Sequence, residues 1–386
     1  MFDELTGITT ENQVINIIKD NDIDLVLNVP CGMMKSLISQ VPEEILLPLS
    51  RESVGIGIAT GAYLAGAKPL LLIQNSGLGN SIINLASLHE NYEIPLPILF
   101  SWRGKENENI VAQKKFGESM ESLLKALEIP YWISKNKDDA INIDLTIKTA
   151  YEQNKITGCL ISPVFWDKHE KITVNYTSRH INNIKIEQDA LNETDITMSR
   201  YDAIETIVDS LDKYDPESVL VCNLGIPSME LYDIIQNKNS KLRVFYMLAG
   251  FGEASAIGLG LSMFNKRNIY VIDGDGSLFH NPNVFDAIHS VSPKNLKILA
   301  IDNGVHSSTG NQMTASYLGI DLQTLAKAYG LENTSRILDS DSIADCVKDN
   351  FNNPLFAHIL VKKGNAAVSE VPFSCVDIKE NLMNRL

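Results

Sequence analysis

Two polar segments, each directly after an apolar run, carry residues that could bind a divalent ion and a phosphate group. The first is Gly274-Asp275-Gly276-Ser277, and the second holds Asn303, 28 positions beyond Asp275. An Asp carboxylate, an Asn amide oxygen and a loop carbonyl are hard oxygen ligands that suit octahedral Mg²⁺. The glycines would let the backbone approach a phosphate, and Ser277 could donate a hydrogen bond to it. If the two preceding strands are neighbours, both segments lie at one sheet edge, where such folds bind ligands.

A simpler structural role is open for each glycine motif. An isolated Gly-Asp-Gly is as often a tight turn as a ligand site, whereas its pairing with an Asn after a strand is more specific. A nicotinamide site is the main competitor, but Gly77-Leu78-Gly79 lacks the third glycine of the GxGxxG pattern. Gly258-Leu259-Gly260 falls inside a predicted helix. We interpret both as glycines that permit close packing.

The elements that must position these residues alternate between strands and helices in the first half of the chain. Continuous apolar runs such as Leu70-Leu71-Leu72-Ile73 are typical of strands buried on both faces. Alternation of this kind predicts a parallel sheet with helices on both sides. The predicted strands are 24–29, 45–49, 68–74 and 95–102, and the predicted helices are 53–64, 80–89 and 118–127.

The second half repeats this alternation after a segment without clear periodicity. Its predicted strands are 218–222, 242–247, 268–272, 296–301 and 356–361, and its predicted helices are 200–211, 228–237, 254–263 and 283–291. The sequence therefore predicts an α/β protein of two doubly wound parallel-sheet domains. The predicted domains are residues 1–172 and 200–372, joined by a linker at 173–199 and followed by a polar C-terminal tail at 373–386.

Composition and charge exclude several classes of function. The net charge of −15 over 386 residues argues against nucleic-acid binding, since no basic stripe could neutralise phosphates. A small anionic substrate is still allowed, because the local field of a pocket can oppose the overall charge. The apolar runs are strand-sized and the N-terminus lacks the pattern of a signal peptide, so we expect no membrane association. Five scattered cysteines without a CxxC pair predict reduced thiols in the cytoplasm.

Longer motifs make the chain similar to a known family of enzymes. Gly-Asp-Gly-Ser followed by Asp302-Asn303 resembles the diphosphate-binding signature of thiamine-diphosphate enzymes. The likeness extends through nearly the whole chain to phosphonopyruvate and sulfopyruvate decarboxylases. It implies a pyrimidine-binding domain (1–172) and a diphosphate-binding domain (200–372), without a middle domain. Motifs of the first domain are Val29-Pro30-Cys31, Arg51-Glu52, residues 74–80 and Trp102-Arg103-Gly104; those of the second are Tyr246-Met247, Gly250-Phe251-Gly252 and residues 303–312.

The resemblance also implies roles for individual residues. Glu52 would contact N1′ of the cofactor's aminopyrimidine, and a carboxyl in that dry site would share its proton. The implied Mg²⁺ ligands are Asp275, Asn303 and the main-chain carbonyl of Val305. The implied contacts to thiamine diphosphate are Glu52, Asn75, Gly250, Phe251, Gly252, Gly274, Asp275, Gly276, Ser277 and Asn303.

Two residues of the Gly250-Phe251-Gly252-Glu253 segment depart from the family pattern. Phe251 takes the place of the bulky apolar residue that holds the cofactor in its bent shape, where the family more often has Met or Ile. Glu253 stands where a small or apolar residue is usual. Because a carboxylate would repel a diphosphate, we expect Glu253 to point away from it or to pair with a cation.

Recognition of the substrate requires cations and hydrogen-bond donors for a carboxylate and a second anionic group. Arg103 is the main candidate, because a guanidinium binds such groups through two hydrogen bonds. His306 could donate to the anionic group or act as a proton donor near neutral pH. The remaining predicted substrate contacts, each of which could instead have a structural role, are Cys31, Ser76, Asn80 and Gln312. Five further histidines lie outside these motifs and are predicted surface or packing residues: His89, His169, His180, His289 and His358.

The predicted reaction removes CO₂ from a 2-keto acid that carries a second anionic group. The resemblance narrowly favours 3-phosphonopyruvate, giving phosphonoacetaldehyde in phosphonate biosynthesis, over 3-sulfopyruvate, giving sulfoacetaldehyde. Residues 303–306 and 308–310, in one chain, resemble phosphonopyruvate decarboxylases. Phosphonopyruvate decarboxylases usually have an Asp-Glu-Pro-Gln-His run after the Trp-Arg-Gly motif, and here residues 105–113 replace it. This replacement and residues 308–312 look more like the two sulfopyruvate decarboxylase subunits joined end to end.

Assembly and alternative functions follow from the same resemblance. The cofactor would bridge a pyrimidine-binding and a diphosphate-binding domain, which the family takes from different subunits. We therefore expect a homodimer or higher homo-oligomer with active sites at the subunit interface. One alternative is another thiamine-diphosphate reaction, such as decarboxylation of a different 2-keto acid, carboligation or oxidative transfer. The other is a non-enzymatic binding protein, against which Glu52 argues, because binding alone would not require that residue.

Overall fold

The computed structural model describes residues 9–106, 108–167, 193–349 and 354–386. The chain forms two compact units, Met1–Arg179 and His180–Leu386. Each unit is built on a six-stranded sheet in which every strand pairs in parallel with its neighbours. The predicted α/β class with two parallel-sheet domains is therefore confirmed.

The sheet of the first unit has the strand order β2-β1-β3-β4-β6-β5. Its two central strands β3 and β4 are buried along nearly their whole length, which explains their continuous apolar sequence. The strands are β1 (Leu25–Asn28), β2 (Leu46–Pro48), β3 (Pro69–Gln74), β4 (Leu96–Ser101), β5 (Tyr131–Ser134) and β6 (Ile156–Ile161).

The helices of the first unit connect these parallel strands. The third helix, which begins at Glu52, is buried at nearly every position because it is rich in glycine and alanine. At Gly55 an added Cβ would lie 2.7 Å from Leu49 Cδ1 and 3.3 Å from Leu71 Cδ1, so a larger residue would have to displace these side chains. The helices are α1 (Thr10–Asp20), α2 (Lys35–Ile38), α3 (Glu52–Leu64), α4 (Leu78–Asn84), α5 (Glu90–Tyr92), α6 (Val111–Ala126) and α7 (Ile141–Gln153).

The second unit repeats the architecture with the strand order β13-β14-β10-β9-β7-β8. A short antiparallel pair, β11 and β12, forms a hairpin after β10. The strands are β7 (Val219–Cys222), β8 (Arg243–Tyr246), β9 (Ile269–Gly274), β10 (Leu296–Asp302), β11 (Val305–His306), β12 (Gln312–Met313), β13 (Thr334–Ile337) and β14 (Leu355–Leu360).

The helices of the second unit include one packed as tightly as α3. In α10, a Cβ added to Gly258 would lie 2.2 Å from Val271 Cγ2, which confirms that this glycine permits close packing. The helices are α8 (Arg200–Tyr214), α9 (Ile226–Lys238), α10 (Ala254–Phe264), α11 (Asp275–His280), α12 (Val284–Val291), α13 (Leu322–Ala328), α14 (Ser340–Lys348) and α15 (Cys375–Met383).

Several elements differ from the sequence prediction. The helix predicted at 118–127 begins seven residues earlier, at Val111. The predicted polar tail contains α15, which is capped by Ser374 and packs against β8. Among the elements without a predicted counterpart are α1, α7, β5, β6, β13 and α14. Strands β5 and β13 lie at the edges of their sheets, where mixed polarity weakens the sequence pattern, whereas β6 is an interior strand buried along its whole length.

The segment between the units is only partly described. Of the predicted linker, residues 173–192 lie outside the described residues, as do His169 and His180, and Glu193–Asp195 forms a short 3₁₀ turn before Ser199 caps α8. The predicted domain boundaries stay predictions. The five cysteines are free thiols, and the cytoplasmic location stays a prediction. Within the described ranges, no helix has both the length and the apolar character needed to cross a bilayer.

Candidate active site

The two polar segments at the edge of the second sheet line a single cavity. Strands β9 and β10 are adjacent and parallel, and Gly274 pairs with Ile301, so the residues that follow them emerge side by side. Asp275, Asn303 and Val305 all line this cavity. The expectation that the two segments meet at one sheet edge is therefore correct, while their binding of a metal is still a prediction.

The Asp275 carboxyl is buried and lies in an unfavourable electrostatic environment. Burial first, and then the charge of nearby Asp302, raises its pKa to about 7. The Thr314 hydroxyl donates a hydrogen bond to Asp275 Oδ2 at 2.5 Å. Because a cation at this position would stabilise the ionised carboxylate, the environment of Asp275 fits a role as a metal ligand.

Asn303 is held in place by its own loop. Its Nδ2 donates to Ser307 Oγ at 2.8 Å, and its Oδ1 accepts the backbone N–H of Val305 at 3.1 Å. These bonds orient the amide, and Oδ1 keeps a second lone pair. The residue is thus suited to offer a neutral oxygen ligand beside Asp275.

The wall of the cavity next to Asp275 fits a phosphate group. The Ser277 hydroxyl is buried and makes no well-formed hydrogen bond to a described residue, although it lies close enough to the Asp273 carboxyl to help lower its pKa. A Cβ added to Gly276 would lie 2.5 Å from the ring of His306, so this backbone can be approached closely only because the residue is glycine. The donor set and the close backbone approach agree with a diphosphate-binding wall.

Phe251 projects into the same cavity from the loop before α10. It is 39% exposed and packs against His280 with ring centroids 5.0 Å apart. The flanking Gly250 and Gly252 have φ angles of +83° and +87°, which L side chains rarely adopt. The predicted role of Phe251 in shaping the bound cofactor stays a prediction.

Glu253, the second departure from the family pattern, is fully buried. Its Oε1 accepts a hydrogen bond from Asn281 Nδ2 at 3.1 Å, and the same amide also bonds to the carbonyl of Gly252. The carboxyl is thus engaged by an amide of the following segment. Glu253 does not line the cavity that holds Asp275.

A buried histidine supports the Asn303 loop from beneath the sheet edge. His358 Nε2 lies 2.8 Å from Asp302 Oδ2, and its Nδ1 lies 3.4 Å from Asp321 Oδ2. Burial opposes its charge, but the bonds to both aspartates raise its pKa overall. Burial likewise opposes ionisation of Asp302, yet His358 and the Ser316 hydroxyl lower its pKa. His358, predicted as a surface or packing residue, instead forms a buried ion-pair network.

The sequence did not identify several residues of this cavity. Arg200 lines it and forms a bidentate ion pair with Glu230, with Nε–Oε2 and Nη2–Oε1 distances of 2.7 and 3.0 Å. Asn223 follows β7 at the same sheet edge and also lines the cavity. Asn223 could have been predicted as a site residue, because it is a polar residue directly after a strand. The position of Arg200 at the start of a helix does not indicate a binding site.

His306 and Gln312 face each other across the β11–β12 hairpin. His306 lines the cavity, as its predicted roles require. Gln312 is exposed, and its amide is bonded to its own hairpin through Thr309, at 2.7 and 2.9 Å. Gln312 therefore contacts its own hairpin in this structure, and its predicted substrate contact stays a prediction.

In the first unit, Glu52 begins α3 directly after the loop that follows β2. It is 8% exposed, and Asn80 Nδ2 donates to its Oε2 at 2.9 Å. A Cβ added to Gly77 would lie 2.6 Å from Glu52 Oε1, so this glycine makes room for the carboxylate. Asn80, predicted as a substrate contact, thus binds the glutamate.

Arg103 is fixed by Asn75 through its backbone. Asn75 Oδ1 accepts the Arg103 N–H at 2.9 Å, and Asn75 Nδ2 donates to the Arg103 carbonyl at 3.2 Å. Asn75 is fully buried, and this pairing engages both ends of its amide. Its predicted contact to the cofactor stays a prediction, while its observed role is to connect the end of β3 to the segment after β4.

Uncharged polar side chains are linked beside Arg103 at the same sheet edge. Cys31 Sγ lies 3.2 Å from Ser101 Oγ and 3.7 Å from Gln74 Oε1. Gln74 Nε2 in turn donates to Ser76 Oγ at 2.5 Å and to Gln113 Oε1 at 2.9 Å. We call Cys31, Gln74, Ser76, Ser101 and Gln113 the polar cluster. It brings the predicted substrate residues Cys31 and Ser76 together with Arg103.

Comparison with known proteins identifies the family. Residues 225–361 match the family model described as thiamine pyrophosphate enzyme, C-terminal TPP binding domain. The sulfopyruvate decarboxylase of Methanosarcina acetivorans is 36% identical over 375 residues, which span 95% of this chain and 95% of that protein. The chain belongs to the thiamine-diphosphate-dependent sulfopyruvate and phosphonopyruvate decarboxylase family. It is a thiamine-diphosphate-dependent decarboxylase.

Further relatives of this decarboxylase differ in substrate and in chain organisation. The phosphonopyruvate decarboxylase of Streptomyces viridochromogenes is 27% identical over 354 residues, 89% of this chain and 86% of that protein. Sulfopyruvate decarboxylase subunit alpha of Methanococcus maripaludis is 38% identical and covers 41% of this chain and 96% of its own length. Subunit beta of Methanothermobacter thermautotrophicus is 36% identical and covers 49% of this chain and 96% of its own length.

Solved structures support the fold. The benzoylformate decarboxylase of Polynucleobacter necessarius aligns with a TM-score of 0.70, covering 93% of this chain and 99% of that chain. Sequence identity in that alignment is 11%. At this identity the likeness concerns the fold and carries no information about the substrate.

Proposed function

We propose that this decarboxylase converts 3-sulfopyruvate into sulfoacetaldehyde and CO₂, with thiamine diphosphate bound through Mg²⁺. The observation that carries the choice of substrate is the 36% identity to a sulfopyruvate decarboxylase over 95% of both chains. A relative named for phosphonopyruvate is 27% identical over a shorter span. The presence of both domains in one chain does not favour phosphonopyruvate as the substrate. The Methanosarcina acetivorans sulfopyruvate decarboxylase is also a single chain, and it aligns with this protein over 95% of its length.

Phosphonopyruvate is the second candidate substrate. The sequence prediction favoured it narrowly, on the resemblance of residues 303–306 and 308–310 to phosphonopyruvate decarboxylases. The two substrates share the keto acid and differ in the C3 group, which has sulfur or phosphorus bonded to three oxygens and carries a different charge in the two cases. The same residues would therefore carry out the reaction on either one.

Mg²⁺ and the diphosphate are assigned to the second unit. The ion would be bound by Asp275 Oδ, Asn303 Oδ1 and the carbonyl of Val305. All three residues line one cavity, and burial disfavours the ionised Asp275 carboxylate unless a cation is bound, which supports this assignment. The buried Ser277 hydroxyl would donate to a phosphate oxygen, and Gly276 would let the backbone approach it.

The first unit would supply the acid–base and substrate-binding groups. When bound, thiamine diphosphate supplies the electron sink that accepts the electron pair of the bond broken as CO₂ leaves. Glu52 would share a proton with N1′ of the aminopyrimidine through Oε1, since Asn80 bonds to Oε2. Arg103 would bind an anionic group of the substrate. We assign to His306, in the second unit, the proton that replaces CO₂ on the product.

Active sites of this kind need both types of unit, and we propose that the protein is a homo-oligomer with its sites at the subunit interface. The names of two relatives from Methanothermobacter thermautotrophicus support this, since they are separate beta and alpha subunits of sulfopyruvate decarboxylase. Light scattering of the purified protein with and without cofactor gives the oligomeric state. A monomer that retains full activity at all concentrations would contradict the proposal.

The experiment that tests the function compares CO₂ release from sulfopyruvate and phosphonopyruvate, with thiamine diphosphate and Mg²⁺ present. We expect turnover of both and a higher kcat/KM for sulfopyruvate. Glu52→Gln should lose turnover and keep much of its cofactor affinity, because it keeps the shape and loses the ionisable carboxyl. Inactivity toward both substrates with cofactor bound would reject the assignment. A product with a longer carbon skeleton in place of free aldehyde would indicate carboligation.

A further inference from the structure

A carboxylate of the loop after β4 is bonded to the arginine that we expect to bind the substrate. Glu108 Oε2 lies 2.5 Å from Arg103 Nε, and the two side chains are 8% and 11% exposed respectively. Glu108 Oε1 accepts the backbone N–H of Ile110 at 3.1 Å, and the N–H of Asn109 also bonds to the carboxylate. The ion pair is therefore largely buried and is supported from both sides.

Both partners of this ion pair are held by backbone contacts. The Arg103 backbone is clamped by Asn75. It also packs so tightly on Gly117 that a Cβ there would lie 2.1 Å from the Arg103 carbonyl oxygen. On the other side, the backbone N–H groups of its own loop fix Glu108. The backbone of Arg103 and the carboxylate of Glu108 are thus both fixed, which favours the Nε–Oε2 contact between the two side chains.

The hydrogen bond from Arg103 lowers the pKa of Glu108, which is therefore ionised at neutral pH. The positive charge of Arg103 is thus largely balanced by its neighbour. Glu108 engages Nε, and the Cys31 thiol of the polar cluster also lies close to the guanidinium. A second anion would bind through the terminal nitrogens Nη1 and Nη2. The polar cluster adjoining Arg103 is made of thiol, hydroxyl and amide side chains, which contribute donors without formal charge.

A sulfonate carries one negative charge, whereas a phosphonate approaches two near neutral pH, as phosphate esters do with a second pKa of about 6. An anion bound to Arg103 also experiences repulsion from Glu108, and this repulsion grows with the anion's charge. We propose that Glu108, by balancing Arg103, determines the enzyme's preference for a sulfonate over a phosphonate substrate. The proposal rests on the proposed function and on Arg103 as the residue that binds the sulfonate or phosphonate group of the substrate.

A different role for Glu108 would give different kinetics. If Glu108 only occupied the substrate's position and swung away on binding, its removal would improve the binding of both substrates by the same factor. If it only ordered the loop, its removal would impair both substrates by the same factor. Only a charge that stays beside the bound anion changes the ratio between the two substrates.

The test is Glu108→Gln, which keeps the shape of the side chain and removes its charge. The matched control is Glu106→Gln in the same loop, since Glu106 is exposed and has the same charge. We expect Glu108→Gln to shift the ratio of kcat/KM for phosphonopyruvate over sulfopyruvate upward by about tenfold, mainly through KM. Glu106→Gln should change the ratio by less than about twofold, because an exposed charge is screened.

A second measurement separates this inference from the proposed reaction. The dead-end analogues 3-sulfopropanoate and 3-phosphonopropanoate lack the keto group, and calorimetry with the holoenzyme gives their Kd values without turnover. We expect Glu108→Gln to improve the Kd of the phosphonate analogue relative to the sulfonate by about tenfold. An unchanged ratio of Kd and of kcat/KM would overturn the role of Glu108. A wild-type enzyme inactive on both substrates would instead reject the proposed function.

Discussion

The side-chain amide of Asn80 donates a hydrogen bond to Oε2 of Glu52 at 2.9 Å. The two residues come from different helices of the first unit, α4 and α3, which pack against each other. Gly77 leaves room for the carboxylate, since a Cβ there would lie 2.6 Å from Oε1. Asn80 therefore orients the carboxylate through Oε2, and we expect the other oxygen, Oε1, to meet the cofactor.

The first prediction concerns this contact. Asn80→Ala removes the donor and lets the Glu52 carboxylate rotate, and a hydrogen bond to a charged group contributes about 1.5–3 kcal/mol. We expect kcat to fall about tenfold or more and the exchange of the cofactor's C2 proton into deuterated water to slow in parallel. Substrate KM should change little.

The control for Asn80 is Ile83→Ala on the same helix, where the side chain is 67% exposed. It should leave both rates unchanged. A rise in KM for Asn80→Ala at unchanged exchange rate would support instead the substrate contact that the sequence analysis predicted for Asn80.

The second prediction follows from the raised pKa of Asp275, about 7 in the structure against an ordinary value of 3.8. A carboxyl whose pKa is raised by folding destabilises the folded protein increasingly as pH rises through that range. We expect Asp275→Asn to raise the Tm of the cofactor-free protein at pH 8 by a few degrees and to have little effect at pH 4. The same variant should lose most of its affinity for Mg²⁺ and thiamine diphosphate. An equal or lower Tm at pH 8 would contradict the electrostatic argument.

The third prediction concerns Ser277, whose buried hydroxyl makes no well-formed hydrogen bond to a described residue but lies near the Asp273 carboxyl. Removing it costs the protein little, whereas a bound phosphate would lose a donor. We expect Ser277→Ala to weaken thiamine diphosphate binding about three- to tenfold in calorimetry, with only a small change in Tm.

The comparison for Ser277 is Ser228→Ala, because the Ser228 hydroxyl is also buried but donates to the carbonyls of Cys222 and Asn223. Ser228→Ala should therefore lower Tm, and its affinity for thiamine diphosphate should fall less than that of Ser277→Ala. If Ser277→Ala binds the cofactor as tightly as the wild type, Ser277 is not a phosphate ligand.

The fourth prediction concerns the ion pairs of His358 with Asp302 and Asp321. His358 has a raised pKa, so its contribution to stability is complete below about pH 6.5 and is lost as pH rises through the folded-state pKa. We expect His358→Gln to destabilise the protein by about 3 kcal/mol at pH 6, because it leaves the buried Asp302 carboxylate without its cation, whereas Asp321 keeps its ion pair with Arg336. The difference in unfolding free energy should shrink in alkaline buffer. A difference that stays constant from pH 6 to 10 would show that packing, not charge, accounts for it.

The sequence predicted the central strands well because each carries a continuous apolar run that is buried on both faces. Strands β3, β4, β9 and β10 fall within two residues of their predicted bounds. The outer strands β5 and β13, with half-buried residues, have no such run and were missed. The interior strand β6 was missed although it is fully buried, because Thr157 and Gly158 interrupt its apolar run. Periodicity reports burial, so elements at the margin of a sheet leave a weaker signal.

Individual contacts were beyond the sequence for a different reason. The motifs indicated that Asn80 and Arg103 belong to a site, but not that Asn80 bonds to Glu52 or that Arg103 is paired with Glu108. Glu108 lies in residues 105–113, which resemble sulfopyruvate decarboxylase subunits, but no role for Glu108 itself was predicted from that resemblance. Side chains from different loops come into contact only when the chain folds. Their spacing along the sequence therefore does not predict which of them will be in contact.

The sequence by itself determined the strand-helix alternation, the motif residues Glu52, Asp275 and Asn303, and through them the family. The tertiary structure decided which of these residues meet, because parallel pairing of β9 with β10 aligns the ends of two strands and so brings Asp275 and Asn303 into one cavity. It also decided the electrostatic state of the site. The pKa values of Asp275 and His358 are shifted by burial and by neighbouring charges, both of which exist only in the folded protein.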